Sequence, residues 1–159
     1  MERELNGLKI KYESGKLYAW REMWRGYKLK NPDWRELKGC VNKGDGYIRV
    51  GINNKLYLYH RVVYFLHNDA WDIHNTSSDN SIDHIDRNRL NNSIENLRVV
   101  TNQQNSWNTY AKGYSFYKAT GKYEAYIKVD GKLKHLGYFV SEDDARDAYL
   151  NAKEKYHIF

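Results

Sequence analysis

Residues 82–108 read IDHIDRNRLNNSIENLRVVTNQQNSWN, and this stretch decides how the rest of the chain is interpreted. Apolar and polar side chains alternate over residues 82–85, which is typical of a strand with one buried face. Residues 86–92 are mainly polar turn formers, whereas residues 97–100 are mainly apolar and include two β-branched valines. The pattern therefore predicts a strand, a polar loop and a second strand.

A short helix is predicted directly after the second strand. Thr101 and Gln104 have the spacing of a capping box, in which the two side chains satisfy backbone donors at the start of a helix. Asn105 then lies in the first turns of that helix. A purely structural explanation is a polar hairpin and a capped helix in which Asp and Asn only form turns. It accounts less well for the adjacent Asp83 and His84 on a strand.

Three groups of residues in this stretch resemble the HNH nuclease motif, most closely that of the phage HNH homing endonucleases: Asp83-His84, Asn96-Leu97-Arg98 and Asn105. In that family a ββα unit holds one divalent metal ion against a DNA phosphate. The resemblance implies that His84 is the general base that deprotonates the attacking water, and that Asp83 and Asn105 bind the metal ion. It also implies that Asn96 hydrogen-bonds backbone across the loop and orients His84, while Arg98 has a supporting role.

The residue types agree with that chemistry. Many HNH nucleases carry His at the last motif position, so Asn105 favours a site built from Asp and Asn oxygens. Oxygen ligands suit one hard divalent ion, Mg²⁺ or alternatively Mn²⁺, which keeps several waters and phosphate oxygens. The ion can stabilise the charge of the transition state. Histidine, with an ordinary pKa of about 6.5, is a suitable base at cellular pH.

Charge is distributed unevenly along the chain of 159 residues, which has a net charge of +6 and a pI near 9.2. Basic residues outnumber acidic ones by 14 to 7 in residues 1–65 and by 9 to 7 in residues 112–159. Acidic residues lead by 6 to 3 in residues 66–111. Phosphate binding needs positive charge and a metal site needs negative charge, so the pattern favours a metal-dependent nuclease with a nucleic-acid partner.

Other features of the composition exclude several classes of protein. No apolar run approaches the roughly 18 residues of a membrane span, and the start of the chain lacks an apolar signal segment. We therefore expect an intracellular protein without a membrane partner, in the cytoplasm of a bacterial host if a phage encodes it. Cys40 is the single cysteine, so neither a disulfide nor a structural zinc site is expected.

The amino-terminal part is predicted to contain two β-hairpins and a helix. Residues 8–12 and 17–20 form the first hairpin, and residues 46–52 and 55–59 form the second. Between the hairpins, aromatic residues alternate with Arg and Lys over residues 21–35, broken at Pro32. These residues either bind phosphate and stack on bases, or form a small core with a charged rim.

A helix over residues 60–67 has a broad apolar face. In the HNH families that the chain resembles, a hairpin and such a helix precede the nuclease motif. His60 and Arg61 at its start either contact a phosphate or support the active site, and a purely structural role is the alternative.

The carboxy-terminal part has the pattern of three strands and a helix. Strands are predicted over residues 114–118, 122–129 and 132–139, and Ser141 caps a helix that begins at Glu142. Alternation places Tyr123, Ala125, Ile127 and Val129 on the face that packs against this helix. Residues 112–140 contain 6 lysines and 2 acids, whereas residues 141–159 contain 3 basic residues and 5 acids, so the positive charge belongs to the sheet.

Residues 113–152 resemble an AP2 DNA-binding domain through GYSFY, YEAYIKV and HLGYF ahead of the helix. AP2 domains lay a three-stranded sheet in the major groove. The positions that face DNA in that family correspond to Ser115, Tyr117, Tyr126, Lys128 and His135, with Lys132 and Lys134 as phosphate contacts. Plant members use more Arg and Trp there, and Lys cannot form the bidentate contact that Arg makes with guanine. A solvated lysine-rich face is the alternative.

Together these features predict an α+β protein with an HNH nuclease domain over residues 1–110 and an AP2-like domain over residues 111–159. The predicted function is metal-dependent cleavage of double-stranded DNA by a homing-type HNH endonuclease. A monomer would nick one strand, and a homodimer would cut both. Two alternatives stay open: a non-catalytic DNA-binding regulator with a degenerate nuclease fold, and a host-directed or restriction-type HNH nuclease.

Overall fold

A computed structural model describes residues 1–159, apart from the side chain of Trp24, which belongs to the predicted aromatic and basic stretch. The chain divides into two compact units, Met1–Asn102 and Gln103–Phe159. Helices and small antiparallel sheets form both units, in agreement with the predicted α+β class. The limits predicted for the domains, 1–110 and 111–159, stay a prediction. In the described part of the chain, no helix is both long and apolar enough to cross a membrane.

The first unit begins with a four-stranded antiparallel sheet. Its strands, in spatial order, are β1 (Glu2–Leu5), β2 (Leu8–Glu13), β3 (Lys16–Trp24) and β4 (Tyr27–Glu36). The first predicted hairpin is β2–β3, whereas β1 and β4 were not predicted. The break expected at Pro32 was wrong, because this residue lies within β4. An edge strand tolerates proline, and the pairing of β3 with β4 is irregular at this point.

The second predicted hairpin and the helix after it are confirmed. They form β6 (Ile48–Ile52), β7 (Lys55–Leu58) and α1 (Tyr59–His67), and a short strand that was not predicted, β5 (Cys40–Val41), pairs with β6. Asn53 and Asn54 turn between β6 and β7 with φ of 42° and 62°, the conformation that a two-residue type I′ turn requires. A single hydrophobic cluster joins this hairpin and α1 to the first sheet, and its fully buried members include Ile10, Ile52 and Leu66.

The stretch of residues 82–108 forms its elements in the predicted order of strand, strand and helix. They are β8 (Ser81–His84), β9 (Leu97–Val100) and α2 (Asn102–Trp107). The two strands pair antiparallel, with Asp83 opposite Arg98 and His84 opposite Leu97. The loop between them ends in a single 3₁₀ turn, Ile94–Asn96. Apart from its first residue, α2 belongs to the second unit.

The second unit contains the three antiparallel strands and the helix predicted for the carboxy-terminal part. They are β10 (Tyr114–Tyr117), β11 (Lys122–Val129), β12 (Lys132–Phe139) and α3 (Glu142–Tyr156). Ser141 caps α3 as predicted, because its side chain accepts a hydrogen bond from the Asp144 backbone N–H at 3.1 Å. Ala125 and Ile127 are buried beneath the helix, which confirms the predicted inner face of β11.

Candidate active site

His84 is the last residue of β8, and only 3% of its surface is exposed. Its Nε2 lies 3.0 Å from Asn92 Oδ1. The Asn92 amide is oriented by its own Nδ2, which donates to the Leu90 carbonyl at 3.2 Å. Because an amide oxygen only accepts hydrogen bonds, Nε2 carries the proton of the neutral imidazole and Nδ1 is its basic nitrogen. The loop therefore selects one tautomer of His84.

Two aromatic rings pack around His84. The His60 ring lies edge-on to it with centroids 4.9 Å apart, and the Tyr47 ring lies 5.9 Å from it. Burial, with smaller contributions from His84 and Arg61, lowers the pKa of His60 to about 3, so this ring is neutral at neutral pH. Among the described residues, His60 Nδ1 has no hydrogen-bond partner. At 3% exposure, the His60 ring is too buried to contact a phosphate, and its supporting role stays a prediction beside the purely structural alternative.

Arg61 holds the segment that leads into β8. Its guanidinium donates hydrogen bonds of 3.0 Å to the backbone carbonyls of Asn80, Ile73 and Asn75. The same group stacks 4.7 Å from the centre of the Trp71 ring. These contacts hold the segment that precedes β8, and the supporting role of Arg61 in the active site stays a prediction beside the purely structural alternative.

Asn96 closes the loop between β8 and β9, with 8% of its surface exposed. Its Nδ2 donates to Asp86 Oδ1 at 2.9 Å and to the Asn91 carbonyl at 2.8 Å. Its Oδ1 accepts from the Asp86 backbone N–H at 3.0 Å. Asn96 thus makes the hydrogen bonds across the loop that were predicted for it, and its part in orienting His84 for catalysis stays a prediction.

Asp83 is buried beside His84, at 6% exposure. Arg98 lies opposite it on β9 and donates from Nε and Nη2 to Asp83 Oδ2, at 3.0 and 2.9 Å. Both hydrogen bonds end on the same oxygen, so they hold Oδ2 against the guanidinium, and they are charge-assisted and therefore stronger than neutral ones. The residue predicted to support the site therefore contacts the residue predicted to bind the metal ion.

A magnesium ion is compatible with the residue types in this part of the chain. No three His, Cys, Asp or Glu side chains among the described residues cluster to hold a metal ion. Mg²⁺ does not require such a cluster, because one or two carboxylates suffice when waters and substrate phosphates complete its octahedron. Asp83 supplies a carboxylate of this kind. Asn105 lies on α2 in the second unit, and its role as the other ligand stays a prediction.

The residues predicted to contact DNA divide between the two faces of the carboxy-terminal sheet. The strand register places five of them on the face away from α3, the outer face: Ser115, Tyr117, Tyr126, Lys128 and His135. Lys132 and Lys134 pair with Val129 and Ile127, whose side chains pack toward α3. Lys134 Nζ donates to Tyr156 Oη at 2.8 Å, which directs this lysine to the helix.

The outer face also contains residues that the sequence did not single out. His135 Nε2 lies 3.3 Å from the carboxylate of Glu124. The ring of Tyr138 lies 4.8 Å from that of His135 and 6.0 Å from that of Tyr117. The outer face therefore combines tyrosine rings with basic residues, and the Glu124 carboxylate lies beside one of them, His135.

Sequence reasoning missed Asn92 and Tyr47 as parts of the site. Asn92 stands in a run of turn-forming residues, and nothing local distinguishes it from its neighbours. Its contact with His84 depends on how the seven intervening residues close the loop. Tyr47 precedes β6 and reaches His84 only through tertiary packing. Adjacency to a candidate catalytic histidine is a property of the fold and leaves no local pattern.

Comparison with known proteins supports a nuclease that acts on DNA. Residues 57–107 match the model of a family described as HNH endonuclease, and members of this family hydrolyse phosphodiester bonds, generally with a divalent metal ion. No curated protein and no solved structure matches the chain. The matched segment covers about a third of the chain and contains Asp83, His84, Asn96 and Asn105. This part of the chain is therefore similar to an HNH endonuclease domain.

Proposed function

We propose that the chain is a homing-type HNH endonuclease that uses a divalent metal ion, preferably Mg²⁺, to hydrolyse phosphodiester bonds in double-stranded DNA. Its carboxy-terminal AP2-like module binds the target. One observation carries the proposal: His84 is buried and held by Asn92 at 3.0 Å within the segment that matches the HNH model. A histidine fixed in one tautomer before substrate arrives has the geometry that a general base needs.

The proposed role of His84 is to take a proton from the attacking water at Nδ1. Asn92 keeps the opposite nitrogen, Nε2, protonated through the hydrogen bond to its Oδ1. The rings of His60 and Tyr47 restrict rotation of the imidazole. Asn96 holds the loop that carries Asn92, so it acts as a positioning residue.

Asp83 and Asn105 are the residues proposed to hold the metal ion. When bound, the ion supplies positive charge that stabilises the transition state and the leaving oxygen. Arg98 orients the Asp83 carboxylate through its two hydrogen bonds. For DNA, the proposed contacts are the outer-face residues, with Lys128 as the exposed cation among them.

Incubation with supercoiled plasmid tests the proposal. Wild type should nick the plasmid with Mg²⁺ and not with a chelator. His84→Ala should slow cleavage by about 10²- to 10⁴-fold and leave DNA binding intact, because loss of a general base acts on the chemical step. His74→Ala, which removes an exposed histidine, is the matched control and should cleave at the wild-type rate.

The same assay has further informative outcomes. Asp83→Ala should abolish metal-dependent cleavage, and a metal titration unchanged by it would remove Asp83 from the ligand set. Relaxed circles alone would indicate a nicking monomer, and linear product would indicate a dimer. If the wild-type chain bound DNA but showed no Mg²⁺-dependent nicking, the proposal that it is an endonuclease would be contradicted.

A second function is favoured by one contact at the site. The Arg98 guanidinium lies 2.9 Å from Asp83 Oδ2, so a cation already accompanies the predicted metal ligand. This arrangement suits a non-catalytic AP2-type DNA-binding regulator with a degenerate nuclease fold. Such a protein would bind DNA in the plasmid assay and never nick it. Arg98→Ala would then leave it inactive, whereas in the endonuclease it should alter the metal concentration that cleavage requires.

A further inference from the structure

The end of the β3–β4 hairpin extends beyond the rest of the first sheet. We call residues 21–33 the arm. The pairing of β2 with β3 ends at Ala19, whereas β3 and β4 continue to pair with each other up to the turn. None of the described side chains of the arm is buried, and Met23 and Tyr27 are 56% and 77% exposed. The arm thus has two strands, and none of its described side chains belongs to a buried core.

The backbone of the arm is defined in spite of this exposure. Arg25 and Gly26 form its turn with φ of 50° and 86°, and two positive φ values are what a tight type I′ turn requires. Between the pairs Arg21–Asp33 and Met23–Lys28, the single residue 22 of β3 stands opposite residues 29–32 of β4. Such a bulge bends its strand and re-aims the side chains that it carries.

The charge of the arm is unbalanced. It contains four cations, Arg21, Arg25, Lys28 and Lys30, and two carboxylates. Both carboxylates accept hydrogen bonds locally, Glu22 from the Trp20 indole at 3.1 Å and Asp33 from the backbone N–H of Trp34 at 2.7 Å.

None of the four cations makes an ion pair with a carboxylate among the described side chains. At the other end of the same sheet the lysines are paired. Lys11 lies 2.9 Å from Glu13, and Lys16 lies 3.2 Å from Glu36. The arm is therefore a cationic surface whose four positive charges form no ion pair with the carboxylates that the structure describes.

We propose that the arm enters the major groove of duplex DNA. A two-stranded ribbon fits the major groove of undistorted duplex DNA, which is about 12 Å wide, better than the minor groove of about 6 Å, which would have to widen to admit it. Lys28 and Lys30 contact phosphates, and the exposed Tyr27 beside the turn lies against base edges and thymine methyl groups. The proposal deepens the function proposed above by adding a DNA contact outside the segment that matches the HNH model.

The test is DNA binding by the full chain as a function of salt, with a chelator present so that no cleavage occurs. Log affinity falls as log salt rises. Lys28→Ala and Lys30→Ala should each make this fall less steep, reducing the magnitude of the slope by about 0.9, and the double variant should reduce it by about 1.8. Lys16→Ala removes one exposed lysine from the same sheet that is already paired with Glu36, and should change the slope less. A wild-type slope in the double variant would overturn the proposal.

The groove is tested with duplexes methylated at guanine N7, an atom of the major groove. Methylation should weaken binding by wild type more than by Tyr27→Ala. Equal weakening in both, or tighter binding to single-stranded than to duplex DNA, would overturn the placement in the major groove. The outcome is separable from cleavage. If the slopes change but the plasmid is not nicked, the DNA contact of the arm is supported and the endonuclease activity is contradicted. If the plasmid is nicked but the slopes do not change, the activity is supported and the DNA contact of the arm is contradicted.

Discussion

The polar residues of the β8–β9 loop differ from those of the outer face of the carboxy-terminal sheet. Asn92 and Asn96 of this loop, and His84 at the end of β8, are at most 8% exposed, and each hydrogen-bonds another of the three or a neighbouring loop residue. On the outer face, Tyr117 and Tyr138 are 44% and 48% exposed and meet through their rings. A loop ordered before substrate arrives suits a chemical step, whereas an exposed face acquires its partners from outside. Substitutions in the loop should therefore change stability and rate, and those on the face should change affinity.

Asn96→Ala should have the largest effect on folding. It removes three hydrogen bonds, two to Asp86 and one to Asn91. At about 1 kcal/mol for each bond, the free energy of unfolding should fall by about 3 kcal/mol in urea titration. Asn31→Ala, at an exposed position of β4, should change it by less than about 0.5 kcal/mol. Equal small effects of both variants would show that the loop is not ordered by Asn96.

The next largest effect is a pH dependence of stability that arises from His60. Burial lowers the pKa of His60 to about 3, below the ordinary 6.5, so the unfolded chain binds the proton first as the pH falls. The contribution of His60 is therefore complete above pH 6.5 and is lost between pH 6.5 and 3. From pH 7.5 to 5.0 the free energy of unfolding of wild type should fall by about 2 kcal/mol more than that of His60→Gln. If the free energy of unfolding fell equally with pH in both proteins, the His60 ring would not be neutral and buried as proposed.

Asn92→Ala should affect the rate more than the fold. Loss of one buried hydrogen bond to His84 leaves the imidazole free to change tautomer, and about 1 kcal/mol corresponds to somewhat less than tenfold in rate. We expect single-turnover cleavage to slow by about fivefold while DNA affinity stays constant. Asn92→Asp keeps an acceptor at the same place and should cleave faster than the alanine variant. If both variants lost the same activity, Asn92 would not act through the proton on Nε2.

Local patterns predicted most of the elements, because alternation, turn residues and caps act over short distances. Asn53-Asn54 and Ser141 with Asp144 form the turn and the cap that their side chains favour. β4 was missed because Pro32 usually ends a strand, and only the position of a strand at a sheet edge makes it harmless.

The candidate site was predictable only in part. Asp83, His84 and Asn96 have a recognisable spacing, whereas Asn92 becomes a partner of His84 only when the loop closes. The division of the lysines between two faces was also out of reach. A register shift beside Ala125 and Tyr126 changes which residues of β12 face α3, and the spacing of the lysines does not indicate this shift.

The smallest effect distinguishes the two faces of the carboxy-terminal sheet. Lys128 lies on the outer face, and Lys134 lies on the neighbouring strand with its ammonium on Tyr156. If the outer face binds DNA, Lys128→Ala should reduce the magnitude of the slope of log affinity against log salt by about 0.9, because one phosphate contact is lost. Lys134→Ala removes the same charge from the opposite face and should leave the slope nearer to that of wild type. Equal slopes for the two variants would mean that the sheet attracts DNA by its net charge alone, and that the outer face does not contact the phosphates directly.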